Sequence, residues 1–146
     1  MMRIILASHG PLAKAMKETV SFIMGDTGSL MDPLCAYCNP EDDLNQQIDE
    51  AFARAGGCDP VIVVTDLFGG SVNNEFFRRM TLEDRPSFHL IAGMNMALVV
   101  SLVGLAEDRN LYESDGEISD EKLKESLGLV MQDACENVKY CNQFFG

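Results

Sequence analysis

Residues 60–65, Pro-Val-Ile-Val-Val-Thr, form an apolar run with no polar alternation before Thr65. A strand exposed on one side alternates polar and apolar positions, so a run like this needs cover on both faces. That is the pattern of an interior strand in a parallel sheet. Parallel neighbours must be joined by long crossovers, usually helices. The run therefore demands strand-helix alternation from the rest of the chain.

The flanking sequence supplies it. Residues 3–8 (Arg-Ile-Ile-Leu-Ala-Ser) predict a first strand, and residues 87–92 (Ser-Phe-His-Leu-Ile-Ala) predict a fourth. Residues 29–37 predict a weaker one, because Asp32-Pro33 interrupts it; a proline that cannot donate to a ladder suits an edge. Between them the period changes. Leu12, Met16, Thr19, Val20, Ile23 and Met24 share one helical face over residues 12–24, with Lys14, Lys17 and Glu18 outside it. Asn39-Pro40-Glu41-Asp42 reads as a helix start with an Asn cap, ahead of the stripe Leu44, Ile48, Ala51, Phe52 and Ala55 and the stop Gly56-Gly57. Residues 71–80 and about 95–106 read as helices, and Leu123, Leu127, Val130, Met131, Ala134 and Val138 mark a last one. Residues 107–118 read as a loop or irregular arm.

The expected fold is α/β: one domain over residues 1–146, with an open, mainly parallel sheet of about four strands and helices on both faces. In such sheets, chemistry collects at the carboxyl ends of the strands. Three segments fall there: Ser8-His9-Gly10, Asp66 to Ser71, and Gly93 to Asn95.

Composition narrows the function. The net charge of -12, from 23 acidic and 11 basic residues, argues against nucleic acid or an anionic membrane as a partner. No apolar run reaches the roughly 18 residues of a membrane helix, and Ile4-Ile5-Leu6 is too short for a signal-peptide core, so a cytoplasmic location is expected. Cys35, Cys38, Cys58, Cys135 and Cys141 are expected to be reduced, half-buried small side chains. Cys35 and Cys38 have redox spacing, but no strand-to-helix junction follows them directly. No closely spaced second pair supports zinc, and His89, within a strand, reads as structural.

His9 ends the first strand and Asp66 ends the strongest one. If those strands are neighbours, the two side chains can meet. A carboxylate that accepts one ring N–H fixes the tautomer, frees the other nitrogen to attack, and steadies charge on the ring. Gly69-Gly70-Ser71 can present bare amides and a helix start to an anion. Ser71 either contacts phosphoryl oxygens or caps the helix. Competing motifs fail: there is no P-loop and no Gly-x-Gly-x-x-Gly. Asn73 stands where a nucleophile elbow needs its second Gly. Ser8-His9 replaces the acids of an aspartate-phosphorylated receiver.

Ile-Ile-Leu-Ala-Ser-His9-Gly10, Val-Val-Thr-Asp66-Leu-Phe-Gly69-Gly70-Ser71-Val-Asn-Asn74 and Ile-Ala-Gly93-Met-Asn95 together resemble the IIA component of the mannose/fructose/sorbose-type phosphoenolpyruvate-dependent sugar phosphotransferase system. The similar layout covers roughly residues 2–130. The resemblance implies a phosphohistidine carrier. His9 would accept a phosphoryl group from phospho-HPr and pass it to a IIB protein, which serves sugar uptake through membrane IIC and IID proteins. It further implies that Asp66 assists, that Gly69, Gly70 and Ser71 contact phosphate, and that neither metal nor organic cofactor is required. A homodimer that exchanges a fifth, C-terminal strand is implied as well.

The sequence departs from that pattern at Val72, where the family commonly has Pro, and at Ala97-Leu98, where it often has Pro-Met. No IIB domain follows, so the IIB partner is expected on a separate chain. A similar domain serves dihydroxyacetone kinase, with a single glycine before the Ser; Gly69-Gly70 favours the sugar-transport branch. An unrelated alternative is a flavodoxin-like regulator with an inert His9.

Overall fold

The computed structural model describes residues 1–57, 60–82 and 88–145, which form two compact units, Met1–Met94 and the chain from Asn95 onward. In the first unit, β1 (Arg3–His9), α1 (Leu12–Met24), β2 (Met31–Ala36), α2 (Leu44–Ala55), β3 (Val61–Thr65), α3 (Ser71–Arg79) and β4 (His89–Ala92) alternate as the apolar runs demand. The sheet order is β2-β1-β3-β4, every pair parallel. All five residues of β3 are buried, as its unbroken apolar run requires. Pro33 lies in β2, at an edge, where its missing N–H costs no ladder bond.

Alternate residues of the strands feed two separate layers. Ile5 and Ala7 of β1 and Val61 and Val63 of β3 join Ile48, Ala51, Ala55, Val72 and Phe76 of α2 and α3 in one buried cluster. Phe76 is fully buried there, edge-on to Phe52 at 6.0 Å and to Phe88 at 6.1 Å between ring centroids. Ile4, Leu6 and Ser8 point the other way, and α1 packs on β1 and β2.

Three sequence expectations shift. The second helix starts at Leu44, not in Asn39–Asp42. Asp43 is the cap and accepts from Gln46 N–H at 3.0 Å, while Asn39–Asp42 closes into a turn through Asp42 N–H to the Asn39 carbonyl at 3.1 Å. Asn39 and Asp43, both good capping residues, lie four positions apart, and the apolar stripe that begins at Leu44 selects the later one. In α1 the buried face is Ala13, Met16 and Val20, whereas Leu12, Ile23 and Met24 are exposed. The fifth strand is not found among the described residues, where residues 107–118 hold a 3-10 turn at Arg109–Leu111 and loop.

In the second unit, α4 (Met96–Glu107) is capped by Asn95, which accepts from Leu98 N–H at 2.8 Å. It packs on α5 (Asp120–Glu136), whose cap Ser119 accepts from Lys122 N–H at 3.2 Å. Acidic Asp120 and Glu121 sit in the first turn of α5, at the positive end of its dipole. Leu123, Leu127 and Ala134 are its buried stripe; Met131 is exposed, and Val138 lies beyond the helix end and is exposed. No described helix is long and apolar enough to cross a membrane.

Phe76→Ala should remove the centre of the aromatic cluster and destabilise the fold by about 3–5 kcal/mol. Phe76→Leu should cost less than half of that. Urea unfolding monitored by circular dichroism measures both; equal losses would show that the ring contacts, not the volume filled, carry the stabilisation.

Candidate active site

The pairing of β1 with β3 decides where chemistry can assemble. Ala7 lies opposite Thr65, so Asp66 emerges beside the last two residues of β1. His9 is the final residue of β1 and shares the parity of Ile5 and Ala7, which directs it to the face carrying α3. Its ring therefore meets both the end of β3 and the start of α3.

One carboxylate oxygen holds His9 twice. Asp66 Oδ2 accepts the His9 backbone N–H at 2.8 Å and lies 2.8 Å from ring Nδ1, while Oδ1 accepts Leu67 N–H at 2.9 Å. The Asp66 side chain is only 9% exposed, against 42% for His9. Burial pushes the Asp66 pKa up, but the bonds from His9 N–H, from its ring and from Leu67 N–H outweigh that and hold it below the ordinary 3.8. The carboxylate is thus ionised and can only accept, so Nδ1 carries a proton, and whenever the ring is neutral Nε2 has a free lone pair. Ser71 Oγ, 3.1 Å from Nε2, must then donate to it.

The turn from Asp66 to Ser71 is held from beneath. Asn73, 4% exposed, donates from Nδ2 to Thr65 Oγ1 at 2.9 Å, and its Oδ1 accepts Gly69 N–H at 3.1 Å. Gly69 has φ +78°, a left-handed conformation that favours glycine. Gly70 leaves space: a Cβ there would lie 3.3 Å from His9 Cε1 and 3.3 Å from the Leu67 carbonyl oxygen.

The bare glycine amides expected from the sequence are occupied. Gly69 N–H bonds Asn73, and Gly70 N–H bonds the Leu67 carbonyl at 3.1 Å. Groups available to an anion are the first-turn amides of α3, which have no intrahelical acceptor, and the Ser71 hydroxyl. Ser71 is not the cap; Gly70 is, and the Ser71 hydroxyl faces the His9 ring. All five expected site residues, His9, Asp66, Gly69, Gly70 and Ser71, therefore come together.

Tyr37 joins them without any sequence signal. Its hydroxyl lies 2.9 Å from Ser71 Oγ, and its ring centroid is 5.5 Å from that of His9. Tyr37 has φ +63°, the sole non-glycine with positive φ among the described residues, at a cost of about 1–2 kcal/mol. Ser8, buried, sets the other side of the strand end: Oγ accepts Ala13 N–H at 2.8 Å and donates to the Gly10 carbonyl at 3.1 Å. At the third edge segment, Gly93 and Met94 N–H both donate to the Thr65 carbonyl at 3.0 Å, which locks β4 to the end of β3.

The other candidates stay apart from this group. His89 lies at the start of β4, opposite Ile62. Cys35, Cys38, Cys135 and Cys141 carry free thiols, and Cys58 lies outside the described residues. Cys35 is half-buried as expected; the other three are exposed, which corrects the expectation of half-buried side chains for them.

A carboxyl group whose pKa is lowered on folding stabilises the fold above its ordinary value and loses that contribution as pH falls through the lowered one. Acidification from pH 5 should therefore reduce stability once pH drops below about 3.8. Asp66→Asn should flatten that part of the curve relative to wild type. Parallel curves for the two proteins, from urea midpoints at each pH, would remove Asp66 from the acid response.

Known proteins share this fold. The family model for the PTS system fructose IIA component (EIIA-man) matches residues 3–118. A Klebsiella pneumoniae protein, provisionally assigned as a phosphoenolpyruvate-dependent sugar phosphotransferase system permease, is 36% identical, with a TM-score of 0.78 over 99% of this chain and 94% of that one. The PTS IIA protein associated with the fucose utilization operon of Streptococcus pneumoniae is 25% identical, with a TM-score of 0.69 over 99% and 96%. The mannose/sorbose specific IIA subunit from Enterococcus faecalis shares the fold at 22% identity, with a TM-score of 0.68 over 94% of this chain and 92% of that one. A parallel four-stranded sheet with a histidine and an aspartate at its carboxyl edge, matched along most of its length by that model, belongs to the EIIA-man family, and this chain is a phosphotransferase-system IIA component.

Proposed function

We propose that the chain is the phosphohistidine carrier of a sugar phosphotransferase system, with Nε2 of His9 as the atom that bears the phosphoryl group. The observation that carries this reading is the double hold of Asp66 Oδ2 on His9, through the backbone N–H and Nδ1. It orients the ring, assigns the tautomer and leaves one nitrogen facing outward. Residues 1–146 act as one carrier domain, taking phosphate from phospho-HPr and giving it to a IIB protein that feeds membrane IIC and IID partners. The family membership supports these partners, a cytoplasmic setting and a homodimer.

The transfer is an in-line displacement. The Nε2 lone pair forms the new N–P bond while the bond from phosphorus to the donor nitrogen breaks, and its electron pair stays with the donor. No proton has to leave His9, because Nδ1 keeps its own. The ring gains positive charge, and the ionised Asp66 beside it stabilises that charge without taking the proton. The Ser71 hydroxyl swings from Nε2 to a phosphoryl oxygen, and the first-turn amides of α3 with their helix dipole face the same oxygens. Return to a IIB histidine is the same path reversed.

A donor and an acceptor that are themselves proteins need a surface to dock on. The turn and helix flanking Ser71 expose Leu67, Phe68 at 88% and Phe77 at 60%. Phe68, Phe77, Met80 and Leu90 line an open cleft of about 180 Å³ beside that turn. Exposed apolar side chains on the turn that carries Asp66 and on the helix that begins at Ser71 suit transient protein contact, which also excludes water from the N–P bond.

Intact mass spectrometry after incubation with phosphoenolpyruvate, enzyme I and HPr tests the reading. Wild type should gain one acid-labile phosphate and folded His9→Ala none; phosphate on His9→Ala would move the centre elsewhere. In rapid-quench transfer from phospho-HPr, Asp66→Asn should lose about a hundredfold or more, as when a triad loses its orienting carboxylate. Ser71→Ala should lose about tenfold, the scale of one charge-assisted hydrogen bond. A Ser71→Ala loss as large as that of Asp66→Asn would make the hydroxyl, not the carboxylate, the dominant group.

A further inference from the structure

The site contains a residue that neither the sequence motifs nor the proposed transfer uses. Tyr37 leaves β2 in a left-handed backbone conformation, φ +63°, that a bulky side chain adopts only when its surroundings impose it. That conformation delivers the side chain to His9 and Ser71 together. Strain of this sort is retained where the delivered group matters.

The hydrogen-bond directions fix what the hydroxyl does. Asp66 accepts Nδ1–H, so in the neutral ring that attacks phosphorus Nε2 accepts, and Ser71 spends its only proton on Nε2. Ser71 Oγ can then serve Tyr37 only as an acceptor, which makes the Tyr37 hydroxyl the donor. The result is a one-way chain: Tyr37 O–H to Ser71 Oγ, Ser71 O–H to His9 Nε2, His9 Nδ1–H to Asp66. Each link leaves its neighbour one role. Without Tyr37, the Ser71 hydroxyl turns freely toward water or toward backbone acceptors.

We infer that Tyr37 is a positioning residue that acts through Ser71: its hydroxyl holds Ser71 Oγ over Nε2, so that the Ser71 proton is aimed where the phosphoryl oxygens arrive. This role rests on the phosphohistidine reading above. It differs from a packing role for the tyrosine ring, since it requires the hydroxyl and requires Ser71.

Two measurements on the full chain test it. The first is single-turnover phosphorylation by phosphoramidate, a small donor that needs no docking surface, on wild type, Tyr37→Phe, Ser71→Ala and the double variant. Tyr37→Phe keeps the ring and should lower the maximal rate about fivefold, the worth of one neutral hydrogen bond, with the half-saturating donor concentration unchanged. In the Ser71→Ala background the same change should have no further effect. An unchanged rate in Tyr37→Phe, or an equal loss in both backgrounds, overturns the inference. The second is the ¹⁵N resonance of His9 Nε2 in the unphosphorylated protein, which should move toward a free acceptor nitrogen in Tyr37→Phe. An unmoved resonance also overturns it. If wild type takes no phosphate from phosphoramidate or from HPr, the carrier reading fails and the positioning role falls with it. If wild type is phosphorylated at His9 and only the Tyr37 effects are missing, the carrier reading stands and this inference alone is lost.

Discussion

A single carboxylate oxygen connects the two strand ends on which the site is built. Asp66 Oδ2 takes both the backbone N–H of His9 and its ring Nδ1, so the strand and the side chain converge on one atom. A histidine at the open edge of a sheet, 42% exposed, would otherwise sample several rotamers. Converging the two donors removes that freedom and settles the tautomer in the same step. The ring direction, the exposed nitrogen and the Ser71 contact all follow from it.

That bond is in turn a consequence of register. Ala7 sits opposite Thr65 because the odd residues of β1 and β3, Ile5, Ala7, Val61 and Val63, share one buried layer with α2 and α3. A slip of one residue would send those side chains to the α1 face and turn His9 away from Ser71. The apolar core thus specifies the site geometrically, even though none of its side chains touches the proposed reaction. It also places the aspartate directly after β3, the strand whose every residue is buried: the most tightly specified strand carries the residue whose placement matters most.

The strand-helix order, the parallel sheet, the edge position of β2 and the meeting of His9 with Asp66 were legible from the sequence, because period and residue type act locally. The faces of α1 and α5 were less so. Both helices carry more apolar residues than they bury, with Ile23, Met24 and Met131 left exposed, and periodicity alone does not say which side of a broad apolar band meets the sheet or the neighbouring helix. The start of α2 was ambiguous for a different reason, since Asn39 and Asp43 are both competent caps. Tyr37 was invisible. Its place in the site depends on a left-handed backbone at a residue type that almost never signals one, set by tertiary contacts that no local pattern encodes.

The Asp66-to-Ser71 turn shows how far a correct motif can sit from its physical explanation. Gly-Gly-Ser before a helix suggests amides held open for an anion, yet the Gly69 and Gly70 amides are engaged within the turn. The glycines serve shape instead. Gly69 allows the left-handed bend, and Gly70 lets the His9 ring come close enough to reach Ser71. The engaged amide of Gly69 is what lets buried Asn73 fasten the turn to Thr65 at the end of β3. Asn73 also marks the difference from a nucleophile elbow, where a glycine at that position makes room for a close strand-helix contact. Here an amide side chain fills the space and ties strand end, turn and helix start into one body. A site that must stabilise charge as it forms gains most from donors fixed beforehand. The interior of this turn is therefore spent on rigidity, and the first-turn amides of α3 and the Ser71 hydroxyl are left for the proposed reacting group.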